Sequence, residues 1–470
     1  MSGKRTLKII DFVLTYLIIF SFVSAFASTA NSETLAQAVA RSFANSDARQ
    51  AAIKSIEAQN KQVAIAQGSR GFTIDMFGEI ALQNVDNSTQ TGQPGNNETL
   101  TARRVGLSAT YPLYDGGELL NQLFQEASRL DAEIIRLSDA AEAIALNAVQ
   151  AYIDVYRHQN IVTISQQNID VHAQISQQVG RQVDAGKLSE PDRFQANDKL
   201  LAARLAHADA KAALSDALSQ YSFVVGTAPR GALSIPDTSK LPGSRSNVET
   251  VAVSNSFLLK IAQKDIQDLT YQGAIDLADW QPKLDLFFRG GLEKDVDGEP
   301  KSETDVAAGL RLNWTLYKGG TRNKTAARNN DLVIRAHYRK RQVEDEVRNL
   351  ARQAWNSYTA AVDRKMLLDD TVLNSQNILA AFRREFEAAK RPLLEVLDAE
   401  RALFNLKVRR ANADAAVAFQ RYRVLGAQSL LSSHFGLTPY GSPLIPDFET
   451  RAKAVPRGDF DITAPPLNQP

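Results

Sequence analysis

The chain has no cysteine among its 470 residues. That absence excludes a disulfide framework, thiolate metal ligands, a cysteine nucleophile and an N-terminal cysteine carrying a lipid anchor. An excess of charge of either sign is missing too. The 54 Lys and Arg and 53 Asp and Glu are spread along the chain, so no basic surface for nucleic acid and no acidic tail are expected. G-x-S-x-G, phosphate-loop and cleft-forming α/β patterns are all absent, which argues against an enzyme or a bound cofactor. Histidine is scarce. His158 and His172 share a helical position but lie about 21 Å apart along a helix, too far to hold one metal, and they read as packing or interface residues.

Apolar runs of membrane-spanning length are absent as well. The one long run, Phe12 to Phe22, follows Lys4, Arg5 and Lys8 and precedes the small-x-small triplet Ala25-Phe26-Ala27. It falls short of the ~20 residues that cross a bilayer, and Asp11 interrupts its start. Residues 1–27 therefore read as a signal peptide cleaved before Ser28, and the mature chain is expected to have no transmembrane helix. Proline and glycine, finally, are missing from Glu118 to Val179. An uninterrupted helix there would be roughly 100 Å long.

What is present is a duplication. Leu107 aligns with Leu310, Tyr111 with Trp314, Gln150 with Gln353, Tyr152 with Trp355 and Ala196 with Ala399, all at one offset. Upstream, at a second offset, Ser46 aligns with Ser256, Lys54 with Lys264 and Asp75 with Asp285. Each copy reads helix, strand, polar loop, strand, very long helix, turn, helix. The first repeat covers 28–237, with strands at about 72–84 and 103–114, a long helix at about 117–183 and a return helix at about 190–224. The second covers 238–437, with strands at about 283–293 and 305–317 and helices at about 320–388 and 393–432. Residues 438–470 form a proline-rich tail, expected to lack fixed structure.

The strands alternate with period two. Ile74, Met76, Ile80 and Leu82 oppose Thr73, Asp75, Glu79 and Gln83, and the other three strands repeat the pattern. After Gly117 the helix carries a heptad seam through Ile134, Leu137, Ala141, Ile144, Ala148, Ala151 and Val155, with Gln166, His158 and His172 among later seam positions. Four amphipathic strands cannot close a membrane barrel, because closed barrels begin at about eight strands and open edges are excluded from lipid. Several copies must share one barrel, with the long helices as a shared wall. The aromatics Tyr111, Trp314 and Tyr317 at the strand ends suit an interfacial girdle.

The repeated junctions Y-P-L-Y-D-G-G and W-T-L-Y-K-G-G, which carry Gly116, Gly117, Gly319 and Gly320, resemble those of the outer membrane efflux protein family. So do the W-Q-P-K-L-D strand start and the turns G-K-L-S-E-P-D and K-R-P-L-L-E-V-L-D. The resemblance runs from about Ser32 to Leu437. It implies a mainly α fold with a small β part, assembled as a homotrimer with a shared twelve-stranded outer-membrane barrel and a twelve-helix periplasmic barrel. The implied setting is the outer membrane of a Gram-negative bacterium. The implied role is the passive exit duct of a tripartite export system for type I protein secretion or drug efflux. Its partners would be outer-membrane lipid, a periplasmic adaptor and an inner-membrane ABC or proton-driven transporter.

The same resemblance assigns Glu395 and Asp398 to two acidic rings at the periplasmic entrance, and Arg391 and Asp192 to a latch beside Phe386, where the family has a tyrosine. Gly186, Lys187, Leu188, Ser189, Lys390 and Pro392 fall in the tip turns implied to meet the adaptor, and Ala389 replaces a second tip glycine. Taken alone, Glu395 and Asp398 are one helical turn apart and would be read as a solvated surface. A structural or adhesive coiled-coil trimer, merely anchored by its strands, is the competing function; the duplicated hairpins, each flanked by helices, favour the duct.

Overall fold

The computed structural model describes residues 32–85, 99–234, 241, 243–297, 300–388 and 390–439. The expected signal peptide, most of the first polar loop, Ala389 and all but the first two residues of the tail lie outside the described residues.

The chain is mostly helical with one small sheet. Its order is α1 (Leu35–Asn45), α2 (Asp47–Gly68), β1 (Thr73–Asn84), β2 (Thr99–Tyr114), α3 (Glu118–Asp184), α4 (Glu190–Val225), α5 (Arg245–Asn255), α6 (Phe257–Ala278), β3 (Lys283–Lys294), β4 (Ser302–Asn313), α7 (Thr321–Glu387), α8 (Leu393–Ala427) and α9 (Leu431–His434). Where one helix is expected ahead of each strand pair, two are found. The breaks fall at Ser46 and Ser256, which the repeat aligns: Ser46 is extended, and Ser256 Oγ accepts from the Leu259 amide at 3.2 Å to start the next helix. Among the described residues no helix is long and apolar enough to cross a membrane.

The strands form an antiparallel meander in the order β1-β2-β3-β4, so β1 and β4 are edges. Period-two alternation gives one polar and one apolar face. Among the described residues nothing covers the apolar face: Ile74, Met76, Ile80, Leu107, Leu292, Val306, Leu310 and Leu312 are 51% to 78% exposed. A soluble protein rarely displays such a patch. β4 stops at Asn313, short of the expected 317. In the first copy the matching residues Tyr111 to Tyr114 are held by β3, whereas the β3–β4 ladder ends at Lys283 opposite Asn313, and Trp314, Leu316 and Tyr317 are exposed.

Two compact units result, and they follow neither repeat. One contains the described residues within Met1–Ser46, Ala141–Ala252 and Leu350–Leu437. Its core gathers Leu35, Val39, Ala148, Tyr152, Tyr221, Tyr422 and Leu431. Buried Glu142 there accepts from the amides of Leu431 and Ser432, both at 2.9 Å, and so caps α9. The other unit contains the described residues within Asp47–Ala140, Val253–Asn349 and Thr438–Pro470. It holds the sheet, a cluster of Ile56, Leu130 and Leu137, and ion pairs Arg129–Asp268 at 2.6 Å and Lys264–Asp131 at 2.9 Å.

The heptad seam of α3 is buried at Leu137, Ala141, Ala148, Ala151 and Val155. Farther along, burial narrows to Ser165, His172 and Val179. Gln166 is exposed and bonds Asp170, so it is off the seam, and Ser165 takes that place by contacting His207 Nδ1 at 2.9 Å. Burial, with Lys199 nearby, pushes the His172 imidazole below its ordinary pKa, which favours the neutral packing form.

Candidate functional site

Two places carry the chemistry expected of the sequence: the strand-to-helix junctions and the helical tips. At the first junction Gly116 and Gly117 adopt φ of +69° and +85°. A Cβ on Gly116 would lie 2.5 Å from that of Gln281, so a side chain there is barred by conformation and by space. Asp115 then caps α3, its carboxylate accepting from the amides of Gly117 at 2.8 Å and Leu119 at 2.9 Å. The second junction keeps positive φ at Gly319 and Gly320 but has Lys318 where the first has Asp115. There Thr321 Oγ1 donates to the Lys318 carbonyl at 2.8 Å.

The first tip joins α3 to α4. Gly186, at φ +68°, donates to the Val183 carbonyl, and the Lys187 amide donates to Gln182, each at 2.8 Å, which closes the end of α3. Ser189 caps α4. Asp192, three residues on, accepts from its amide at 3.0 Å and its hydroxyl at 2.6 Å. Those two hydrogen bonds hold the Asp192 carboxyl below the usual aspartate range. Across the turn Arg193 bonds Asp184 at 2.5 Å. Lys187 and Ser189 are exposed, whereas Leu188 packs inward.

The second tip joins α7 to α8. The Lys390 amide donates to the Glu385 carbonyl at 2.8 Å, and Pro392 begins α8 in an extended conformation. Arg391 folds back over the turn. Its Nε donates to Glu385 at 2.6 Å, its Nη1 pairs with Glu395, and its guanidinium carbon sits 3.6 Å from the centroid of the Phe382 ring. Glu385 foremost, with Glu395, raises the Arg391 pKa further, so the guanidinium stays charged. Glu395 and Asp398 share the exposed side of α8, while Leu393, Val396 and Leu397 turn inward.

The structure thus brings some expected site residues together and not others. Among the described residues Arg391 makes its ion pairs with Glu385 and Glu395, not with Asp192, which is engaged in its own helix cap. Phe386 is a packing residue. It joins the cluster of Val179, Ala196, Leu393 and Leu397, which unites the two tips, to the cluster of Val372, Leu379, Val396 and Leu403.

Three further residues belong to the site and are not singled out by the family motif. Phe382 and Glu385 clamp Arg391, and the buried Glu400 pairs with Arg383. Glu400 was legible as an acid on the apolar stripe, four residues after Val396 and three before Leu403, and the Arg391–Glu395 pair as an i, i+4 spacing. Glu385 reaches Arg391 only because the turn folds back, so spacing alone gave no sign of it. Among the described residues no cluster of three or more His, Asp or Glu could hold a metal.

Comparison with known proteins matches residues 30–227 and 250–425 to the outer membrane efflux protein family. The outer membrane efflux protein BepC of Brucella suis biovar 1 is 21% identical over 402 residues, covering 85% of this chain and 86% of BepC. The alkaline protease secretion protein AprF of Pseudomonas aeruginosa is 22% identical over 335 residues, covering 67% of this chain and 68% of AprF. In fold, the outer membrane protein VceC of Vibrio cholerae superposes with a TM-score of 0.70 at 14% identity, over 84% of this chain and 96% of VceC. That family is one of outer-membrane ducts rather than of enzymes. The match covers most of both halves of the duplication and takes in the glycine junction and the helical tip of each, and the chain belongs to the outer membrane efflux protein family.

Proposed function

We propose that three copies of this chain assemble into one outer-membrane exit duct, each giving four strands to a twelve-stranded barrel and its long helices to a periplasmic tunnel. The observation that carries this reading is a sheet with two open edges and one uncovered apolar face, joined directly to helices of 67 residues. Lipid excludes unpaired strand edges, so β4 of one copy must meet β1 of the next. The duct works passively with a periplasmic adaptor and an inner-membrane ABC or proton-driven transporter. BepC and AprF carry names for efflux and for protease secretion, and a duct of this construction suits either class of export.

The entrance lies at the helical tips. Glu395 and Asp398, repeated around the axis, form acidic rings that concentrate cations. Arg391 offsets part of that charge and ties the turn to α7 through Glu385 and Phe382. Lys187, Ser189 and Lys390 present the turns to the adaptor, with Gly186 and Pro392 fixing their shape. Asp192 and Phe386 support the narrow state through the helix cap and the packing that joins the two tips, so the latch is a rigid pair of hairpins.

Single-channel recording in planar bilayers tests the assignment. Replacing Glu395 and Asp398 together with Ala should lower cation selectivity and weaken block by multivalent cations, with trimer yield unchanged. Arg391→Ser frees Glu395 and loosens the turn, so resting conductance and cation selectivity should both rise. Unchanged selectivity in both variants would return the two acids to an ordinary solvated surface.

A further inference from the structure

The two faces of the sheet treat charge in opposite ways. On the polar face unlike charges meet: Arg104 lies 3.8 Å from Glu79 and from Glu293 and 3.5 Å from Asp297, and Arg289 lies 3.0 Å from Asp305. On the apolar face the register sets Arg103 directly opposite Lys294. Both residues are exposed, and among the described residues neither forms an ion pair or a side-chain hydrogen bond. Like charges directly opposed across a ladder are destabilising, and this face of the four strands carries no Asp or Glu to relieve them. An anion from outside the chain would.

Their height identifies the anion. Ten residues separate Lys294 from Leu284 along β3. At ~3.4 Å per residue and a tilt near 45°, that is about 24 Å along the membrane normal, close to the ~25 Å of a barrel's apolar band. The two cations therefore stand at the upper edge of the band, at the loop end of the strands, away from the helices. The helix end is marked differently, by the Phe72–Tyr111 ring pair at 4.6 Å and by Trp314. Below the cations the face is apolar, with Ile80 beside Arg103 and then Val105 opposite Leu292.

We infer that Arg103 and Lys294 bind the phosphate groups of an outer-leaflet glycolipid whose acyl chains lie along Ile80, Val105 and Leu292. Arginine offers a planar fork that matches phosphate in a bidentate way, and lysine adds a second point charge. The alternative for two long cations at an interface is to extend into water, with no preference among lipids. This site rests on the proposed function, because it requires the apolar face to meet lipid.

The test uses the full chain reconstituted in phosphatidylcholine vesicles that contain either diphosphoryl lipid A or the same glycolipid with its phosphates removed. The reading is the temperature at which the assembled oligomer dissociates, together with the glycolipid retained on repurification. The phosphorylated lipid should raise the dissociation temperature and copurify, and the dephosphorylated one should do neither. The double variant Arg103→Ser, Lys294→Ser should lose the difference, Arg103→Lys should keep most of it, and inorganic phosphate should not substitute. Equal behaviour of the native chain with the two lipids overturns the site without reliance on any variant. So does a difference that survives in the double variant, and equal stabilisation by inorganic phosphate overturns the lipid as its source. Entry into vesicles with no phosphate dependence removes this site alone, whereas failure of the native chain to enter them removes the barrel reading as well.

Discussion

The two copies of the duplication start from one pattern and end in different surroundings. In the first copy β2 lies inside the sheet, Asp115 caps the following helix, and α3 is buried at Leu123, Leu130, Leu137, Ala141 and Val149. In the second, β4 is an edge, Lys318 replaces the capping carboxylate, and α7 leaves Leu350, Met366 and Leu373 51% to 60% exposed. The positions of α3 aligned with those three are Asn147, Thr163 and Asp170. Apolar residues thus stand uncovered on the second copy where the first is polar. Along the two long helices the duplication has drifted so that α7 carries uncovered apolar side chains where α3 is polar, which in the proposed assembly gives a surface for a neighbouring copy.

The contrast can be broken most strongly in the cores. Leu137→Ala removes a fully buried side chain and should cost about 2 to 5 kcal/mol of protomer stability, read as a lower thermal midpoint. Leu373→Asp should leave helix content and that midpoint nearly unchanged while reducing the oligomer fraction. If both variants acted on folding alone, the second-copy surface would not be an assembly surface.

A second pair tests the edge strand. Leu312 faces outward and is 63% exposed, whereas its neighbour Asn313 belongs to the polar face. Leu312 stands opposite Leu284 at the helix-side edge of the apolar band, so Leu312→Arg should cost up to about 1 kcal/mol per subunit and reduce assembled yield, with Asn313→Arg milder. Equal damage would mean that the apolar face does not meet lipid.

How much of this was legible in the sequence differs from element to element. The strands were legible because alternation between Ile74 and Leu82, or between Leu284 and Leu292, has a period no helix shares. The long helix α3 was legible from its heptad seam between Ile134 and Val155 and from the lack of proline and glycine between Glu118 and Val179. The end of β4 was not, since Trp314 and Leu316 continue the alternation and the strand stops at Asn313 because its partner β3 begins opposite it at Lys283. The tips were half legible. Gly186 and the spacing of Ser189 and Asp192 announce a turn and a cap, but the partner of Arg391 is decided by how the turn folds back, and Glu385 came out ahead of Asp192. Phe386 holds its place by packing, which a missing hydroxyl does not disturb.

The most local expected effects lie at the junctions. Asp115→Ala should cost about 0.5 to 2 kcal/mol by leaving the amides of Gly117 and Leu119 without their acceptor. Lys318→Asp should stabilise the second copy by installing the cap that the first already has. Thermal unfolding of the two single variants would then move in opposite directions, and movement in the same direction would deny that the junctions are related as the duplication implies.

The central claim is that the sheet is incomplete in one chain and is closed by other copies. Amide hydrogen exchange of the assembled protein, followed strand by strand, measures this directly. The account predicts that β1 and β4 are protected as strongly as β2 and β3, because every ladder position on both edges is paired to a neighbour. Rapid exchange along β1 and β4, with protection confined to β2 and β3, would contradict it.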